Sequence, residues 1–280
     1  MKVGYVGNLK IKGSGWGLSN CVERLVTESI NGSLDFLVVS GGISNNYHIT
    51  LSFIKELGKQ LANEGIELRF IVGNSDFYYP NNEVTPDKET KFRDILHSYR
   101  ISEYYLPTHP IFTRDTRILG SETWYDYSMY RGKPRPLKDI TKKQWLLFHH
   151  PDNLYITDPS DYTLGIENLF DTQYCKECLN SLKREIQFQY TRHGACENLV
   201  VVTYFKGSKA LLSDSLKSRY FGTFEGSLHL GELLSSLKVT QNIYGLPFTK
   251  DIVKMNGVSY ISSSENVRVI EYVRHDQKPG

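Results

Sequence analysis

The sequence predicts an α/β protein: a parallel sheet with helices against it, and a second sheet packed on the first. Three observations carry this reading. Over the first 76 residues, short apolar runs alternate with helical patterns. The last third returns to short apolar runs at close spacing. Glycines and small polar residues follow many of these runs directly, where the carboxyl ends of parallel strands lie and function collects.

Taken in order, "MKVGYVG" reads as a strand. "SNCVERLVTESI" reads as a helix, with Cys21, Val22, Leu25 and Val26 at helical spacing and Asn20 and Glu23 forming a capping box at its start. "LDFLVVSGG" is a buried strand. "HITLSFIKELGKQLANEG" is a helix with Phe53, Leu57 and Leu61 on one face and Gly65 as its stop. "IELRFIVGNSD" is the next strand. "KETKFRDILHSYR", "DITKKQWLLFHH" and "DTQYCKECLNSLKREIQFQY" read as helices, and "TRILGSETWYDYS" as a strand running into a loop. "ENLVVVTYF", "TQNIYGLPF", "GVSYISSS" and "NVRVIEYV" supply the closing strands, assigned to the second sheet. The whole reads as one domain over 1–280, with a helical and loop insertion around 80–195.

Composition narrows the class. The chain of 280 residues is long enough for a sizeable core, and 40% apolar with 23% charged residues is ordinary for a globular protein. A net charge of +2 does not by itself mark a nucleic-acid binder. Nineteen tyrosines suit cores, interfaces or base stacking alike. No apolar run is long enough to span a bilayer and no signal-peptide pattern opens the chain, so the expectation is a cytoplasmic protein with no membrane partner and four reduced cysteines.

The strand-end residues carry a resemblance. They are Gly7-Asn8-Leu9-Lys10, Gly41-Gly42, Gly73-Asn74-Ser75-Asp76, Thr203-Tyr204-Phe205 and Gly245-Leu246-Pro247-Phe248. In order and spacing these resemble the five motifs of the calcineurin-like metallophosphoesterases: Asp-x-His, Gly-Asp, Gly-Asn-His, a lone His and Gly-His-x-His. The resemblance implies an α/β/β/α sandwich of two mixed sheets, and a two-metal site that activates a bridging water. It also locates what is missing. Asn8 and Lys10 stand where the family has Asp and His, Gly42 where it has Asp, and Ser75 where it has His after the retained Asn74. Tyr204 replaces the lone His, and Leu246 and Phe248 replace the last two histidines.

Gly, Leu and Phe side chains offer a cation no lone pair, and a protonated Lys10 brings a positive charge. The expectation is therefore a degenerate family member with no metal, no cofactor and no catalytic residue: a binding or regulatory protein. Its candidate partners are RNA, DNA or another phosphate-bearing ligand, or a protein whose nucleic-acid processing it blocks or scaffolds. The alternative is an active phosphoesterase or nuclease with an altered or single-metal site. Asn8, Lys10, Asn74 and Ser75 form a candidate phosphate pocket, helped by backbone N–H groups of strand-to-helix turns. The competing view is a cleft filled by apolar bulk from Leu246 and Phe248.

Arg131, Lys133, Arg135, Lys138, Lys142 and Lys143, flanked by Tyr127, Tyr130 and Trp145, are candidate nucleic-acid contacts. Lys206, Lys209, Lys217 and Arg219 form a second, weaker cluster. Cys175, Cys178, His193 and Cys196 have zinc-like spacing, but one long helix between the halves argues against a shared ion. His149 and His150 point different ways, which disfavours one ion held by both. Ser75 beside Asp76 lacks a general base, so it makes a poor nucleophile.

Overall fold

The computed structural model describes residues 1–13, 15–80, 87–129, 169–212, 224–246 and 252–273. Two sheets face each other with helices outside. Strands β1 (Lys2–Val6), β2 (Phe36–Ser40) and β3 (Glu67–Ile71) run parallel, and β10 (Arg268–Glu271) pairs antiparallel with β1, giving the order β10-β1-β2-β3. The second sheet has the order β4-β5-β6-β7-β9-β8. Its members are β4 (Ile111–Phe112), β5 (Thr116–Gly120), β6 (Asn198–Thr203), β7 (Gln241–Tyr244), β8 (Ile252–Met255) and β9 (Val258–Ser262). Strands β5, β6, β7 and β9 are parallel, and β4 and β8 close the edges antiparallel. Thus β10 returns to the first sheet, not the second as expected, and the stretch 80–195 contributes two strands of the second sheet.

Helices α1 (Trp16–Asn31) and α2 (Tyr47–Asn63) connect the first three strands. Helix α2 starts at Asn46, whose side chain accepts from His48 N at 2.9 Å, and stops before Gly65, whose φ of 71° suits glycine. Helix α1 begins four residues earlier than the expected capping box. Its N-cap is Gly15, without a side-chain cap, and Asn20 lies inside the helix. Helix α3 (Lys88–Arg100) is capped by Asp87, which accepts from Thr90 N. The 25-residue helix α4 (Leu169–His193) and the shorter α5 (Leu228–Ser236) complete the set. None of the described helices is long and apolar enough to cross a membrane.

Strand parity divides the core. On β6 and just beyond it, Val200, Val202 and Tyr204 face the inter-sheet cluster, while Leu199 and Val201 face the cluster under α4 and α5. Helix α4 serves both: Tyr174, Cys175 and Cys178 join the first cluster, Leu182 and Ile186 the second. Its last turn is closed by the buried Arg117 of β5, which donates to the carbonyls of Gln189, His193 and Gly194, groups a helix end leaves without partners.

The tyrosine abundance resolves largely into core. Tyr5, Tyr99, Tyr105, Tyr125 and Tyr244 are among the largest fully buried side chains. Several phenols find partners: Tyr5 with Tyr272 at 2.8 Å, Tyr99 to the Asp76 carbonyl, Tyr105 and the buried Tyr174 to Glu122, whereas the buried Tyr244 hydroxyl has none among the described residues. Glu122, in the loop after β5, also accepts two bonds from Arg100, at 3.0 and 2.8 Å. It therefore ties α3, the turn after it and α4 to the second sheet. Glu122→Gln puts an amide N–H₂ against donors and leaves the guanidinium without its charge partner. We expect a loss of about 2 kcal/mol in urea unfolding; an unchanged midpoint and slope would show that this cluster holds little.

Candidate functional site

The carboxyl ends of both sheets meet. Ser40, ending β2, donates to Val6 O and shares a 2.6 Å hydrogen bond with Ser263, after β9. Gly7 N donates to Ser264 O, and Gly245 N, after β7, to Thr203 O. The loops after β1 and β2 are laced together: Asn8 N and Lys10 N donate to the carbonyls of Gly41 and Gly42 at 2.9 and 3.0 Å, and Ile11 N to Ile43 O at 2.8 Å.

A buried carboxylate organises this rim. Asp76 is fully buried in a short 3-10 turn, Asn74–Phe77. One oxygen accepts from Gly42 N and Gly73 N, both at 2.8 Å. The other accepts from Ile43 N at 2.8 Å, Ser44 N at 3.0 Å and Thr50 Oγ1 at 3.1 Å. Burial pushes its carboxyl above the usual range, and the backbone bonds from Gly73, Ser44, Gly42 and Ile43 pull against that rise. Asp76 is thus an internal acceptor for five donors. The N–H groups of Gly42, Ile43, Ser44 and Gly73 are occupied by it. It has no catalytic partner in Ser75, which lies half-buried on the neighbouring backbone.

Above these loops sits the ring of Tyr204, only 5% exposed. Four glycines surround it. A Cβ on Gly42 or Gly73 would meet a Tyr204 ring carbon first, at 2.9 or 2.5 Å. On Gly41 or Gly245 it would lie 2.9 or 2.6 Å from the ring but closer still to backbone, Gly73 N at 2.7 Å and Ser40 O at 2.0 Å, so those two positions exclude a side chain even if the ring moves. The strand parity that directs Val200 and Val202 between the sheets directs Tyr204 there too. Gly41 and Gly42 also have φ of 85° and 69°, a conformation that suits glycine.

The sequence-derived positions now have places. Asn8 is half-buried with φ 55°, and Lys10 is exposed with φ 52°. Gly42, Asn74, Ser75, Tyr204 and Leu246 lie on the same rim, Leu246 packing partly against the core. Phe248, and the basic residues Arg131, Lys133, Arg135, Lys138, Lys142 and Lys143, fall outside the described residues, as do His149 and His150. Among the described residues, Leu246 packs partly against the core and Tyr204 fills the space beside the glycines. Lys206 leaves the second basic cluster: it is 2% exposed and pairs with Glu225 at 2.5 Å. Cys175 and Cys178 are buried in α4, with His193 about 22 Å farther along it at 1.5 Å per residue. Burial pushes the Cys175 thiol up to about 12.

A resident metal pair does not fit this rim. An aromatic ring holds the space between the four glycines, and the rim's buried carboxyl group, on Asp76, spends both oxygens on backbone donors and Thr50. Among the described residues, no three His, Cys, Asp or Glu side chains form a group that could hold an ion.

The chain has the fold of the phosphopantetheinyl hydrolase of Mycobacterium tuberculosis, with a TM-score of 0.66 over 100% of this chain and 98% of that one, at 14% identity. A dimetal phosphatase of Danio rerio aligns with TM-score 0.49 and 12% identity, over 95% and 88% of the two chains. No protein-family model and no curated protein sequence matches. The fold is metallophosphoesterase-like, and at this identity the likeness extends to the fold alone.

The seat of Tyr204 yields a double-mutant test. Gly73 has φ −106° and ψ 179°, which any residue adopts, and the three atoms nearest an added Cβ all belong to Tyr204. Gly73→Ala is expected to cost about 2 kcal/mol by overpacking. In a Tyr204→Ala background that cost should fall to within about 0.5 kcal/mol of zero, read by chemical denaturation. Additive effects would place the ring elsewhere.

Proposed function

We propose that this chain acts by binding and does not hydrolyse phosphoesters through a two-metal site. One observation carries the reading: Tyr204 is seated on Gly41, Gly42, Gly73 and Gly245, where the strand ends of both sheets converge. Where that convergence would place reacting groups, there is apolar ring surface, and the rim's buried carboxyl group is committed to holding loops. The replacements at Asn8, Lys10, Gly42, Ser75 and Leu246 agree with this, since together they offer no set of anionic or imidazole donors. The outer rim, with Asn8, Lys10, Asn74 and Ser75, remains a surface on which a phosphate-bearing partner or a protein partner could rest.

The test is metal content and turnover on one preparation. Protein purified without chelator should contain no stoichiometric Mn, Fe or Zn. It should take up no Mn²⁺ in calorimetric titration, and should not cleave bis(p-nitrophenyl) phosphate above the buffer rate. Tyr204→Ala should behave alike, because removing the ring adds no donor. Stoichiometric Mn²⁺ uptake with turnover by the unaltered chain would overturn the proposal in favour of an altered-site phosphoesterase.

A further inference from the structure

The loop from β1 into α1 presents chemistry that neither the core nor the filled cleft uses. Trp16, the first residue of α1, is 83% exposed, whereas Trp124 is 1% exposed. A bare indole on a helix start is a large apolar face held out to solvent, and it makes no ring contact among the described residues. Lys10 and Lys12 are both exposed, and neither forms an ion pair among the described residues. Between them Ile11 is buried, its N–H bonded to Ile43 O at 2.8 Å and its carbonyl accepting from Ser44 Oγ at 2.9 Å. The two ammonium groups thus rise from an anchored backbone. Gly13 and Gly15 follow, and a Cβ on either would meet nothing within 4 Å, so both positions are open to approach. The first turn of α1 contains no acidic residue.

We propose that this loop is a docking surface for single-stranded nucleic acid, with a base stacked on Trp16 and backbone phosphates against Lys10 and Lys12. The inference rests on the binding reading above and names its partner. An aromatic platform with flanking cations suits unpaired bases, which expose their faces, whereas a duplex hides them. A lipid surface fits less well. The next apolar residues of α1, Leu18, Cys21, Val22 and Leu25, all pack on the core, which leaves the helix no apolar face for a bilayer.

The experiment uses the full chain and a fluorescein-labelled, mixed-sequence single-stranded oligonucleotide, read by anisotropy in EDTA across a salt series. Trp16→Ala should weaken binding roughly tenfold, and Trp16→Phe should restore most of it. Lys10→Gln with Lys12→Gln should reduce the slope of log affinity against log salt by about 1.4, two phosphate contacts on a single strand. Circular dichroism of each variant establishes that it is folded. No binding by the unaltered chain, unchanged affinity and salt slope in the folded variants, or binding to phosphatidylserine vesicles alone would each overturn the inference. These outcomes leave the non-hydrolytic reading standing if the metal titration is flat. Cleavage of the oligonucleotide with added Mn²⁺ would overturn that reading while leaving the docking surface testable in EDTA.

Discussion

The carboxylate of Asp76 is the interaction on which the rim depends. Five donors converge on it, four of them backbone N–H groups of Gly42, Ile43, Ser44 and Gly73. An apolar interior could not leave these donors unpaired without a cost of about 1–3 kcal/mol each. By satisfying them, one side chain holds the loop after β2 against the turn after β3. Tyr99, from α3, closes the other side by donating to the Asp76 carbonyl. Helices α2 and α3, the loop after β2 and the turn after β3 are therefore tied together by one residue.

The consequence is a shallow, glycine-lined seat, and Tyr204 occupies it. Two features from different sheets have to coincide for this. Parity along β6 directs residue 204 between the sheets, and Gly41, Gly42, Gly73 and Gly245 give up side-chain volume there. The same glycines could sit beside a ligand on a related fold. Here the space beside them is taken by a side chain of the chain itself, which packs there as core. What remains open is the outer margin, where Lys10, Lys12 and Trp16 project.

Much of the architecture was legible in the sequence because local signals and tertiary demand agree. Helix α2 has its apolar face, its Asn46 cap and its Gly65 stop, and α3 matches its reading residue for residue. Helix α1 was misread at its start because Gly15 caps it without a side-chain bond, so the nearest capping pattern, at Asn20, attracted the boundary. Strand β10 shows its own pattern but not its partner, since an apolar run does not encode which sheet edge it joins. Strand β4 has two residues, and β8 alternates with little burial, so neither announces itself. At the site, comparison of motifs named positions without the resembled family's ligand types but did not anticipate the seat of Tyr204. Two signals for that were present: the parity of 200, 202 and 204, and an acid directly after Gly-Asn-Ser with no cation in the adjoining sequence.

The most direct test of the account is the position of the Tyr204 ring in solution. Nuclear Overhauser spectra of the protein with selectively labelled tyrosine and glycine read it without any substitution. Cross-peaks from the Tyr204 ring protons to the α-protons of Gly42, Gly73 and Gly245 are the predicted result, with slow exchange of the Gly42 and Gly73 amides held by Asp76. A ring without those cross-peaks, together with rapid exchange of both amides, would contradict the account.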